Sequence, residues 1–138
     1  MLNLTPRADL GVMYEADVAR YKAAGKSEIT GVVTKEAFMR FYQGCPSVGF
    51  RRDGRDIGGL IFDGEEAHIA VLPEHHGYWG MLLKPALDWL FSQTAEAIVE
   101  VERDNDRCLR FIRHVGWERV GERGGALLFR LVALPGTR

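Results

Sequence analysis

The segment richest in chemistry is Ile69-Ala70-Val71-Leu72-Pro73-Glu74-His75-His76-Gly77-Tyr78-Trp79-Gly80. An apolar run stops at a proline, turns through small residues and opens a stripe at Trp79, Leu82, Leu83, Ala86, Leu87 and Leu90, the spacing of an amphipathic helix. A strand feeding a helix in this way aims backbone N–H groups and the positive end of the helix dipole at one point beyond the strand. Such a point binds phosphate. Gly77 and Gly80 would let a pyrophosphate approach the backbone closely, although glycines in a strand-to-helix turn more often serve the turn alone. Just upstream stand three groups able to accept a proton, Glu65, Glu66 and His68. A carboxylate pair beside the Asp63-Gly64 turn is equally at home in solvent, and a strand histidine is more often a hydrogen-bonded, half-buried residue.

The flanking sequence predicts the elements that hold these residues. Leu2–Leu4 reads as a short strand. Thr5-Pro6 reads as a helix cap and first position, with Leu10, Met13, Tyr14, Val18 and Tyr21 at helical spacing to about Ala23. A second helix over Thr34–Gln43 has Thr34 as its cap and Phe38, Phe41 and Tyr42 on one face. Strands at 47–52, 57–62 and 66–72 are separated by Asp53-Gly54 and Asp63-Gly64, strong hairpin signals. Pro85 falls inside the Trp79 helix and predicts a late start or a kink. A strand at 97–101 and a helix opened by Asn105 and closed by Gly116 follow. A final hairpin pairs 117–123 with 126–132 across Gly124-Gly125. The order is β-α-α-β-β-β-α-β-α-β-β, an α/β fold with a mixed sheet.

The chain has 138 residues, enough for one domain spanning 1–138. It is 46% hydrophobic and 27% charged, an ordinary globular composition. Eighteen Lys and Arg oppose nineteen Asp and Glu, a net charge of −1, so no overall basic field recruits nucleic acid. Arg51, Arg52 and Arg55 cluster on a hairpin, and Arg103, Arg107, Arg110 and Arg113 recur at helical spacing; solvated faces account for both as well as anion contacts do. No apolar run reaches the roughly 20 residues of a membrane span, and the first residues lack the apolar core of a secretory signal. Cys45 and Cys108 form no CxxC pair, and the four histidines lack ligand spacing. Reduced thiols, no metal and a cytoplasmic location are therefore expected.

Val71-Leu72-Pro73-Glu74-His75-His76-Gly77 resembles the V-x-P-E-x-R/Q-G motif that begins the acyl-CoA loop in the GNAT family of acetyl-CoA-dependent N-acetyltransferases, with Leu82-Leu83 as the apolar pair that follows. Asn105, Cys108, Phe111, Gly116 and Trp117 resemble that family's downstream N-x-x-A-x-x-F-Y-x-x-x-G-F stretch. Two motifs in order, about 30 residues apart, are more specific than either alone. The resemblance covers roughly residues 45 to 132. It implies a GNAT-like fold, a mixed twisted sheet splayed between the strands at 66–72 and 97–101 with helices on both faces. It implies acetyl-CoA as co-substrate. Pantetheine would bond the backbone around Ile69 and Val71, pyrophosphate would meet the N–H groups of His76, Gly77, Tyr78, Trp79, Gly80 and Met81, and Asn105 would touch the CoA arm.

The implied activity is acetyl transfer to a primary amine, of a small molecule or a protein, by direct attack. Family analogy favours Glu65 as base, on the face of Val71; a bulge would reverse that parity and promote Glu66 or His68. Partial burial at that strand would raise a carboxylate's pKa toward neutrality. His76 stands where the family has a basic residue or Gln, and Trp79 where it has a later glycine, a trait shared with short GNAT-like proteins of phages and prophages. The family's frequent general-acid tyrosine falls on Ile112, which keeps open a second class: a catalytically inactive GNAT-fold binding or assembly module. Acceptor choice is expected to lie in the first two helices, the loop at 25–28 and the final hairpin. Neither a nucleic-acid nor a membrane partner is expected, and a homodimer is compatible with the sequence.

Overall fold

The computed structural model describes residues 1–23, 25 and 33–133. The expected order of elements is present: β1 (Leu2–Thr5), α1 (Leu10–Ala23), α2 (Lys35–Tyr42), β2 (Ser47–Arg52), β3 (Arg55–Phe62), β4 (Ala67–Val71), a 3-10 helix (Pro73–Tyr78), α3 (Trp79–Gln93), β5 (Glu96–Val101), α4 (Asp106–Val115), β6 (Glu118–Arg123) and β7 (Ala126–Val132). Of the loop at 25–28 only Gly25 is among the described residues, so the expectation placed on it lies outside them.

Turn chemistry sets the strand pairing. Asp53 and Gly54 have φ of 51° and 81°, and Gly124 and Gly125 have φ of 55° and 86°. Two successive positive-φ residues make the turn whose twist matches a hairpin, and glycine adopts them without strain. β1, β2, β3 and β4 form one antiparallel sheet in that order, and β5, β7 and β6 form a second. One parallel bridge, Glu66 to Ile98, joins the two.

Alternation along the strands sorts the core onto two faces. Leu60, Phe62, Ala67, Val71, Val99 and Phe129 pack against Leu82, Ala86, Leu90 and Ile112 of α3 and α4. Ile61 and Ala70 face the other way, against Met13 and Ala16 of α1 and Phe38 of α2. Gly59 permits that second packing: a Cβ there would lie 2.7 Å from Val48 O and 2.8 Å from the Ala8 Cβ.

Two expectations need correction. α1 begins at Leu10, not near Pro6. Thr5 ends β1 and its hydroxyl donates to Arg7 O, while Asp9 Oδ1 accepts from Val12 N–H at 3.1 Å and caps the helix. α3 does not start late: it runs from Trp79 through Pro85. The proline leaves Met81 O without its helical donor, and both residues are exposed, where water replaces it. Phe38, Phe41 and Tyr42 share one face of α2, as expected, although Phe41 is 68% exposed. Other signals act as read: Thr34 Oγ1 accepts from Ala37 N–H, Asn105 Oδ1 accepts from Cys108 N–H, and Gly116 closes α4 with φ 90°.

Candidate functional site

β4 and β5 meet only at their starts. Ile98 N–H donates to Glu65 O at 2.9 Å, and beyond the Glu66–Ile98 bridge the two strands belong to different sheets. The divergence therefore opens toward Pro73, as expected. On its other edge β4 bonds β3: Asp63 N–H donates to Glu66 O and Leu72 N–H donates to Ile57 O. Alternation then sends the backbone groups of Ile69 and Val71 toward the opening. Two strand groups there can receive an extended ligand as a further strand.

The mouth of this opening lies at the carboxyl ends of two adjacent parallel strands, where α/β sheets hold ligands. α3 and α4 both begin there. Residues 73–78 form a 3-10 helix rather than an open loop, with His75 N–H bonded to Leu72 O at 2.9 Å. Its i→i−3 bonds turn backbone N–H groups back along the chain. The first turn of α3 from Trp79 is thus the better anion site, and its cap, Tyr78, makes no side-chain cap bond. A Cβ on Gly77 or Gly80 meets nothing within 4 Å, so open space adjoins both, and neither has a positive φ. His76 Nε2–H donates to Val71 O at 2.8 Å, which occupies one of that carbonyl's two lone pairs. The Arg52 guanidinium lies 4.3 Å from the centre of the Tyr78 ring, bringing a cation beside this turn. Asn105 uses its carbonyl oxygen to cap α4, and its NH₂ end is a separate donor. The Trp79 side chain lies outside the described part of the structure.

β4 turns its other side chains to a cavity of about 380 Å³ between α1, α2 and the sheet. His68 lines it, with Asp17 beneath. His68 Nε2 lies 2.6 Å from Asp17 Oδ2. A carboxylate only accepts, so Nε2 carries the hydrogen and the lone pair of a neutral ring sits on Nδ1. Asp17 is 5% exposed, and Arg20 Nη2 lies 3.5 Å from its Oδ1. Burial works to lower the Arg20 pKa, but the negative charge of Asp17, joined by Tyr21, Glu100 and Glu102, outweighs it and the net shift is upward. The Tyr42 ring stacks on the imidazole with centroids 5.7 Å apart, and Phe38 meets its edge at 6.1 Å. Burial, with Asp17 adding to it, pushes the Tyr42 phenol up to about 12, so it stays protonated.

The three proposed bases therefore stand in different settings. Glu65 is exposed on the turn, its N–H bonded to Asp63 Oδ1. β4 pairs with β3 without a bulge, so alternation puts Glu65 with Ala67 and Val71, on the side of α3. Glu66 is half-buried and accepts from Arg123 Nη1 at 2.9 Å. Only His68 lines the cavity. Ile112 is a core residue, 3% exposed, and Cys108, whose thiol is pushed by burial to about 11, is protonated beside it on α4. Asp17 is the residue that sequence reasoning passed over. Its signal was a carboxylate inside the apolar stripe, between Met13 and Tyr14 on one side and Val18 and Tyr21 on the other. Among the described residues no group of His, Cys, Asp and Glu could hold a metal ion, and no helix is long and apolar enough to cross a membrane.

No protein-family model matches the chain, and no curated protein sequence matches it. Solved structures do. The PaiA N-acetyltransferase of Thermoplasma acidophilum, in complex with coenzyme A, superposes with a TM-score of 0.66 at 17% identity, over 96% of this chain and 99% of that one. The GCN5-related N-acetyltransferase of Rhodopseudomonas palustris gives 0.65 at 15% identity, over 96% and 95%. The ribosomal-protein-S18-alanine N-acetyltransferase of Escherichia coli gives 0.64 at 15%, over 99% and 97%. At such identities the likeness establishes the fold: the chain has the mixed, splayed architecture of the GNAT N-acetyltransferases.

Proposed function

We propose that this chain transfers an acetyl group from acetyl-CoA to a primary amine, with His68 accepting the amine proton and Asp17 orienting His68. The observation that carries this reading is the parting of β4 from β5 directly beside the His68 cavity. β4 is then a common wall, with a free backbone edge on one side and a buried acid–imidazole pair on the other. Acetyl-CoA, when bound, supplies the thioester carbonyl that the amine attacks. The edge at Ile69 and Val71 suits an extended amide chain, the first turn of α3 suits a pyrophosphate, and the space beside Gly77 and Gly80 leaves it room.

The chain's own groups would act as follows. An amine in the cavity presents its lone pair to the carbonyl, forming the new N–C bond as the C–S bond breaks. His68 Nδ1 takes the amine proton, while Asp17 Oδ2 holds the Nε2–H and balances the imidazolium charge. The sulfur leaves as a thiolate, which its modest basicity permits, and takes up that proton, so amine and thioester become amide and thiol. No tyrosine on α4 takes part, because Ile112 occupies the family's position. Backbone N–H groups at the β4 edge are placed to stabilise charge on the thioester oxygen.

The test is calorimetric titration with CoA, followed by a thiol-release assay with acetyl-CoA and an amine panel. Binding with transfer supports the reading, and absence of CoA binding sinks it. A second reading, a CoA-binding or assembly module without catalysis, is favoured by the apolar Ile112 and by the His76 bond to Val71 O. Tight CoA binding with no transfer to any amine would select it.

A further inference from the structure

The cavity beside His68 carries more information than a place for some amine. Its volume of about 380 Å³ lies at the small end of the roughly 300–1,000 Å³ typical of small-molecule sites. Its walls are mostly aromatic. Phe38 meets Tyr14 edge-on at 5.5 Å and Tyr42 at 4.8 Å, a rigid corner already packed before any ligand arrives. The Tyr14 hydroxyl donates to Val33 O at 2.8 Å, so that ring presents carbon to the space. Phe41 also lines the cavity although it is mostly exposed, so a ligand with an apolar body would cover it.

The polar content is as specific. Asp17 is the one carboxylate among the described residues that line the cavity. Its Oδ2 is taken by His68, while its Oδ1 is buried and faces the Arg20 guanidinium 3.5 Å away. The carboxylate is thus met from both sides, and the acceptor left for an amine N–H is His68 Nδ1, on the other side of the ring from Asp17. Once that amine is seated, the described residues of the lining offer no second carboxylate. A distal ammonium would lose its water among aromatic rings without compensation.

We infer that the acceptor is a small primary monoamine with an aromatic or branched apolar body, seated with its nitrogen toward His68 Nδ1 and its body against Phe38, Tyr42 and Phe41. This rests on the acetyl-transfer reading above and narrows it. Polyamines and lysine side chains fit poorly, the first for the second charge and the second for the peptide that must follow the amine into an apolar space.

The experiment measures kcat/KM by thiol release with acetyl-CoA and, in turn, 2-phenylethylamine, 3-methylbutylamine, 1,4-diaminobutane, spermidine and a lysine-containing peptide, alongside calorimetric Kd values for CoA. The two apolar monoamines should exceed 1,4-diaminobutane by at least about tenfold, since each buried methylene discriminates by that order. Ala37→Trp, an exposed position on the cavity wall, should lower kcat/KM for 2-phenylethylamine by at least about tenfold and leave the Kd for CoA unchanged. Preference for spermidine, 1,4-diaminobutane or the peptide overturns the substrate class while leaving acetyl transfer standing. An Ala37→Trp variant that binds CoA and keeps full activity toward 2-phenylethylamine also overturns it. Wild-type protein that binds no CoA sinks the acetyl-transfer reading, and the substrate class falls with it.

Discussion

Glu66 and His68 stand two residues apart and on the same side of one strand, and each is bound to an opposite charge or its equivalent. Glu66 reaches Arg123 across the outer surface, with side chains 31% and 56% exposed. His68 reaches Asp17, which is buried beneath the aromatic cavity. Water screens the first pair, so it contributes about 0–1 kcal/mol and either partner can be spared. In the second, removing one partner strands a buried polar group, which costs about 3–5 kcal/mol when that group is charged. The difference arises from what covers the strand. α1 and α2 lie over His68 and Ala70, while Glu66 sits past their edge beside β5 and β6. Two proton acceptors of similar promise in sequence thus become a cavity group and a surface bridge.

The comparison is most directly broken at Asp17. Asp17→Asn should lower acetyl transfer by about 10²–10⁴-fold, because an amide can donate to Nε2 and set the wrong tautomer of His68. Asp17→Ala should in addition lower unfolding free energy by up to about 3–5 kcal/mol in urea. Wild-type rates in Asp17→Asn would show that the buried pair is structural only. His68→Gln comes next, with a rate loss of about 10²–10⁴-fold, an unchanged Kd for CoA, and loss of the acid limb of the pH–rate profile.

Gly77→Val tests the other side of the shared wall. The φ there is one any residue adopts and the Cβ meets open space, so the variant should fold with an unchanged Tm. The added branches should crowd the phosphate site and raise the Kd for CoA at least about tenfold, about 1.4 kcal/mol. An unchanged Kd would move the pyrophosphate elsewhere.

Tyr42 sharpens the contrast by its own titration. Its pKa rises from 10.0 to about 12 in the fold, chiefly through burial. Between those values the folded protein holds a proton that the unfolded chain has lost, so stability is full below pH 10 and falls as pH rises toward 12. Tyr42→Phe should flatten that decline in alkaline denaturation curves. The smallest effects belong to the surface pair: Glu66→Gln and Arg123→Ala should each change stability by less than about 1 kcal/mol and keep transfer within about twofold. A large loss of transfer in Glu66→Gln alone would invert the assignment.

Local signals determined most of the architecture. Asp53-Gly54, Gly124-Gly125 and Gly116 need backbone angles that few other residues adopt, and Thr34 and Asn105 satisfy donors within three residues of themselves. Such features are set by nearest neighbours along the chain, so their positions were readable. So was the motif pair around Pro73 and Asn105, because strand, turn and helix follow each other directly. Thr5 and Asp9 show the limit even of local rules: both are competent caps, and Thr5 lost because β1 continued through it to pair with Gly49 of β2. The 3-10 helix at Pro73–Tyr78 shows it again, since the same residues are compatible with an open loop.

The site itself was settled by contacts across the chain. Asp17 and His68 are 51 residues apart, and no spacing rule links a helix position to a strand position at that distance. Their meeting depends on α1 lying close over β3 and β4, which the absent side chain of Gly59 permits. Glu65, Glu66 and His68 were equivalent candidates in sequence because burial, the quantity that separates them, is a property of what the rest of the molecule brings to each face of the strand. Residue types declared which groups could move a proton; only the packing of α1 and α2 on one half of β4 decided which of them meets a cavity.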